Sequence, residues 1–141
     1  MYNCNGSDSA DDPHGSTKLH KDITDAINVM VWAANLPNGQ PGYALWHLFH
    51  PAVSKILRQS LREEGFDEQD GDLINAQCVY VTEDMLGRLA SKYNVRPHVI
   101  CQRPGDAVFI PAGWGHQVSF YPASSTFSWS LYIGSQQIRC H

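Results

Sequence analysis

The chain has 141 residues, of which 43% are hydrophobic, 11% aromatic and 17% charged, with a formal net charge of −4. That length suits one domain with a real core, and an acidic balance without a basic stripe excludes the electrostatic footprint of a nucleic-acid binder. No apolar run approaches the roughly 20 residues of a membrane-crossing helix, and the polar opening "MYNCNGSDSADDPHGS" is unlike a signal or transit peptide, so a soluble intracellular protein with no membrane partner is expected.

In chain order, residues 5–16 read as a loop rich in Ser, Asp and Gly. A strand is expected near 17–22, leading into the nearly continuous apolar run "AINVMVWAA". The dense turn signal "NLPNGQPG" (35–42) separates it from "YALWHLFH" (43–50), an aromatic-rich strand. Pro51 suits the first turn of a helix, and Val53, Ile56, Leu57 and Leu61 recur at helical spacing before Gly65. An acidic loop fills 65–75. A second helix is expected over 82–93, with Thr82 as N-cap, Glu83 and Asp84 in its first turn, and Asn94 ending it in a left-handed conformation. Short strands broken by Gly/Pro turns complete the chain: 98–103, 107–111, 116–121 and 126–133. This pattern predicts a mainly β fold, a sandwich or barrel, with two helices inserted into or packed against it.

Cys4, Cys78, Cys101 and Cys140 contain no C-x-x-C pair, so free or buried thiols are expected rather than a structural zinc site. The chemistry lies elsewhere. His20 and Asp22 are spaced i, i+2, which on a strand aims an imidazole and a carboxylate to one side. His116 opens a later strand directly after the buried run and Gly-rich turn "DAVFIPAGWG". Two histidines and one carboxylate form the facial set suited to Fe(II), with positions left for a co-substrate and O2. His47, His50 and His98 read as ordinary surface or core histidines. Trp32, Trp46 and Trp114 read as core or pocket wall, since aromatics in small barrels usually pack.

The blocks "GSTKLHKDITDAINVMVW", "ALWHLF" and "PGDAVFIPAGWGHQV" together resemble the JmjC (jumonji C) domain, in particular the branch that demethylates lysine nine of histone H3. The resemblance runs from about Met1 to Val118. It implies a double-stranded β-helix of cupin type, spanning 1–141 as one domain with a core at 15–121 and a divergent segment at 119–141. It implies Fe(II) as cofactor, 2-oxoglutarate as co-substrate and O2. The expected reaction is hydroxylation of an N-methyl group, which leaves as formaldehyde. Carried over by position, His20, Asp22 and His116 are the metal ligands, while Thr17 and Asn28 line the 2-oxoglutarate pocket. A methylated histone tail is the implied substrate and the nucleus the implied location. Residues 66–72, being acidic, are expected to help attract that basic tail.

After His116 the chain leaves the pattern of that branch, which continues with a lysine-containing block. Residues 117–141 contain no lysine, and Arg139 is the only Lys or Arg among them. A buried carboxylate of a co-substrate needs a cationic partner, and Lys18 and Lys21 are expected to point away from the metal face. The alternative implied is a catalytically inactive JmjC-like fragment acting as a chromatin-associated binding module.

Overall fold

Strands were expected wherever apolar residues alternate or run between Gly/Pro turns, and the computed structural model, which describes residues 16–67, 72–122 and the backbone of 126–133, bears this out closely. The strands are β1 (Ser16–Lys21), β2 (Asp25–Ala33), β3 (Tyr43–Phe49), β4 (His98–Gln102), β5 (Ala107–Ile110), β6 (Gly115–Tyr121) and β7 (Thr126–Ile133). Helices α1 (Ser54–Glu63) and α2 (Glu83–Tyr93) fall between β3 and β4, and a short 3-10 turn, Pro51–Val53, precedes α1. The one break missed in the sequence separates β1 from β2: the chain turns at residues 22–24 before the apolar run begins.

All pairings are antiparallel. One sheet has the order β1-β6-β3-β4 and the other β5-β2-β7. Successive strands alternate between the sheets except β3 and β4, which pair within the four-stranded sheet on either side of the helical insertion, and this is the winding of a double-stranded β-helix of cupin type. Inward residues from both sheets form one core: Ala26, Met30, Val108 and Ile110 from one side, and Ala44, Trp46, Leu48, Val118 and Phe120 from the other. The alternation in β3 follows the pleat, with Ala44, Trp46 and Leu48 turned inward and Phe49 outward.

A second core lies on the outer face of the four-stranded sheet. Leu19 and Phe49 pack there with Leu57, Leu61, Leu73, Ile74, Val79, Met85 and Leu89. Both helices are therefore inserted in the chain and packed on one sheet, as their apolar stripes require. Gln117, fully buried on that face, grips the chain above it: its side chain accepts from Val81 N at 2.9 Å and donates to Val81 O at 2.8 Å.

The end of the loop between β2 and β3 depends on Gly42. A Cβ there would lie 2.4 Å from Tyr121 O and 2.6 Å from Ala34 O, a separation no side chain tolerates. Among the described residues no helix is long and apolar enough to cross a membrane. Cys78 and Cys101 are free and exposed, as an absence of paired cysteines predicts, whereas Cys4 and Cys140 lie outside the described residues.

Candidate metal centre

His20 sits near the end of β1, directly opposite His116 of β6. Side chains opposite each other in an antiparallel pair share a face, so the pairing alone brings the two rings together, with centroids 4.2 Å apart. Asp22 follows in the β1–β2 turn. Its carboxylate reaches to 3.8 Å from His116 Nε2. The three residues form a group whose candidate ligand atoms all lie within 4.8 Å of one another. The structure thus joins the three positions singled out in the sequence: one on β1, one in the turn after it and one on β6, almost a hundred residues away.

The end of the barrel where they meet is tied down by its backbone. Gly113, at φ 78° in the turn before β6, donates its N–H to Asp22 O at 2.8 Å. The neighbouring Ala112 N–H reaches the Asp25 carboxylate at 2.7 Å. The turn leading into β6 and the turn carrying Asp22 are held to each other as a result.

Both imidazoles are fixed by backbone carbonyls. His20 Nδ1 lies 2.8 Å from Lys18 O, and His116 Nδ1 lies 3.1 Å from Trp114 O. A carbonyl only accepts, so in each neutral ring Nδ1 carries the proton and Nε2 keeps its lone pair. That is the tautomer a metal needs, held by the second partner that ligating histidines generally have. Burial, reinforced by the neighbouring His20, pushes the His116 imidazole down to about 4, against the opposing pull of the Trp114 carbonyl and the Asp22 carboxylate. His116 is therefore neutral at physiological pH and offers its lone pair without proton competition. Two lone-pair nitrogens and one carboxylate, largely buried, fit a divalent transition metal.

Thr17 is three residues before His20, so a regular strand would place it on the opposite face. A bulge overrides that. Thr17 pairs with Val118 and His20 with His116, so two residues of β1 face the single Gln117 of β6. Val118 and His116 share the inner face, and the bulge puts Thr17 there with His20. Lys18 is exposed, and Lys21 lies close enough to Asp72 on the helix side to act on its charge. Lys21 is thus turned towards the helix side, as expected.

Asn28 is buried on β2, in the sheet facing the triad. Its Oδ1 accepts from Gln102 Nε2 at 3.0 Å. Trp46 is buried and its indole lies 28° from parallel to the His116 ring, at 6.1 Å, so it is a wall of the site. Trp114 is half-buried at the rim, with His50 at 5.0 Å and His98 at 5.5 Å from its ring. Trp32 departs from expectation: it is 48% exposed, beyond a register shift in the β2–β7 pairing that ends the regular alternation. His47 is buried instead beside Gln117 and Glu83, and burial holds its imidazole below the ordinary value despite the Glu83 carboxylate.

In the acidic loop, Asp72 departs from the steering expected of it. Asp72 is held by Arg58 through two bonds of 2.7 Å, so it is already neutralised and contributes little to steering. Residues 68–71 lie outside the described residues. Gln102 was not recognised in the sequence. The signal was available: it is a glutamine on an inward position at the end of a strand, immediately before a turn.

The family described as "JmjC domain, hydroxylase" matches residues 18–130, from β1 through much of β7. Lysine-specific demethylase 3 of Drosophila melanogaster is 36% identical over 155 aligned positions, covering 84% of this chain and 18% of that protein. Lysine-specific demethylase 3A of Mus musculus is 34% identical, covering 84% of this chain and 12% of its own length. A probable JmjC domain-containing histone demethylation protein 2C of Homo sapiens is 26% identical over 140 positions. The chain spans less than a fifth of the length of these relatives.

Proposed function

This chain belongs to the JmjC domain family, and from that premise we propose that it is an Fe(II)- and 2-oxoglutarate-dependent oxygenase that demethylates lysine on a histone tail. The observation that carries the reading is the convergence of His20, Asp22 and His116, with both histidine Nδ1 atoms committed to backbone carbonyls and the ligand atoms grouped within 4.8 Å. The names of the relatives, lysine-specific demethylases, support the substrate class. A nuclear location follows from a histone substrate.

Fe(II) held by these three residues would supply open positions for the co-substrate and O2. The protein's own part is to orient and to exclude water. His20 and His116 each commit Nδ1 to a backbone carbonyl and leave Nε2 for the metal, and Asp22 brings the carboxylate. Trp46 and Val118 line the inner face with apolar surface, which strengthens every polar interaction made there. We assign Thr17 and Asn28 to the co-substrate pocket: Thr17 shares the triad's face, and Asn28 lies buried in the facing sheet. In the overall reaction one oxygen atom of O2 enters the N-methyl group, which departs as formaldehyde and leaves N–H. The other oxidises 2-oxoglutarate to succinate and CO2.

A second reading, metal binding without turnover as a chromatin-associated module, draws on the lysine-free segment 117–141. One experiment separates the two. The chain is titrated anaerobically with Fe(II), then with 2-oxoglutarate, while the weak visible charge-transfer band of the chelate is followed. A band, followed by formaldehyde release from a methylated histone peptide in air, supports the oxygenase. Fe(II) binding without a band supports the inactive module. His116→Ala is expected to abolish tight Fe(II) binding and His98→Ala to leave it unchanged; equal loss from both would mean that the ligands are misassigned.

A further inference from the structure

We propose that Gln102 is the positioning residue of this metal centre, locking the Trp46 indole against His116 and setting the orientation of the Asn28 amide in the facing sheet. The inference rests on the metal-centre reading above. Gln102 is 0% exposed, although the other four residues of β4 are exposed. A primary amide is both donor and acceptor, and here both ends are used. Its Oε1 accepts from Trp46 Nε1 at 2.8 Å. Its Nε2 donates to Asn28 Oδ1 at 3.0 Å, Asn28 O at 3.1 Å and Asp106 O at 3.2 Å. One side chain from β4 thereby ties β3, β2 and the β4–β5 turn, bridging the two sheets behind the triad.

The direction of each bond has a consequence. The anchored indole N–H prevents the Trp46 ring from turning about its long axis, so its face stays against the His116 imidazole. His116 is then held from two sides, by Trp46 and by the Trp114 carbonyl. Because Asn28 presents Oδ1 to Gln102, its amide nitrogen is directed the other way. No other side chain of this size and shape does both. A leucine neither accepts nor donates. A glutamate retains the acceptor for Trp46 but sets its carboxylate against three oxygens, those of Asn28 and Asp106.

The test uses the full chain with Co(II), whose visible d–d bands report ligand geometry without turnover. Wild type, Gln102→Leu and Gln102→Glu are compared with Leu89→Ala, a destabilised control in the separate helix-side core. Both Gln102 variants are expected to bind Co(II) about tenfold more weakly, the lower end of what outer-shell losses cost, with altered band intensities. Leu89→Ala is expected to match wild type despite its lower Tm. If Gln102→Leu fails to fold, the double variant Gln102→Leu/Trp46→Phe, which removes the orphaned indole N–H, is expected to fold and still bind weakly. Unchanged Co(II) affinity and bands in the folded Gln102 variants would overturn the positioning role and leave the metal centre standing. Absence of Co(II) binding by wild type would overturn both.

Discussion

Asp72 shows how a neighbour decides what one carboxylate does. The Arg58 guanidinium, which bonds both of its oxygens, holds its carboxyl down to about 2, and the Ile74 N–H and Lys21 act in the same direction. A carboxyl depressed on folding contributes stability that is present above its unfolded value near 4 and is lost as pH falls through 2. The pair is partly exposed, so screening limits its worth to about 1 kcal/mol. Asp72→Asn is therefore expected to lower stability by that amount at pH 7. The difference from wild type should shrink towards zero between pH 4 and pH 2 in urea titrations. A gap of the same size at pH 2 would show that the carboxylate charge is irrelevant. Gly42 illustrates the steric side of the same scale: Gly42→Ala must displace the backbone at Tyr121 or Ala34 and is expected to lower Tm markedly.

At the scale of elements, α2 carries its start and stop in its own residues. Thr82 Oγ1 accepts from Met85 N at 3.4 Å, Glu83 and Asp84 sit at the positive end of the helix dipole, and Asn94 ends the helix at φ 52°. Thr82→Ala is expected to lower stability by about 0.5–1 kcal/mol, the lower part of the range for lost caps because the bond is long. Asn94→Gly should be neutral or stabilising, while Asn94→Ala, forced into the left-handed region, should cost about 1 kcal/mol. Chemical denaturation of the three variants checks the order; a stable Asn94→Ala would mean that the helix end relaxes freely. The β1 bulge is an element-level device of another kind. It adds one residue and so brings Thr17 onto the triad's face.

At the scale of the molecule, the four-stranded sheet separates two cores. The inner one supports the triad, and the outer one attaches the helices. Met30→Ala and Leu61→Ala each truncate a side chain of at most 1% exposure and should each cost about 2–5 kcal/mol. They should differ in where the chain loosens. Hydrogen exchange should accelerate first in β2 and β5 for Met30→Ala, and in α1 and α2 for Leu61→Ala. Identical exchange patterns would mean that the two cores act as one cooperative unit.

The sequence alone determined most of what is local. Period-2 and period-3.6 apolar patterns, punctuated by Gly and Pro, placed the described strands and both described helices to within a few residues, because those signals depend on neighbours along the chain. The H-x-D spacing and the histidine after the "PAGWG" turn marked the three metal-binding candidates, since closeness along the chain is a local property, although Asp22 lies in the turn after β1 and not on the strand that the spacing suggested. The JmjC-like blocks supplied the expected fold and the candidate reaction. Only the tertiary structure decided the rest. The bulge that returns Thr17 to the triad's face arises from pairing with β6, and that pairing is invisible in β1 by itself. The buried bonds of Gln102 join residues 56 and 74 positions away in sequence, as the folded sheets bring together partners that no local pattern links. Asp72, acidic and so expected to help steering, is committed to Arg58 of α1, a partner 14 positions away in sequence. Local spacing tells which chemical groups can share a face, while the energy of burying them tells which partners they must find, and those partners are set by the packing of distant strands.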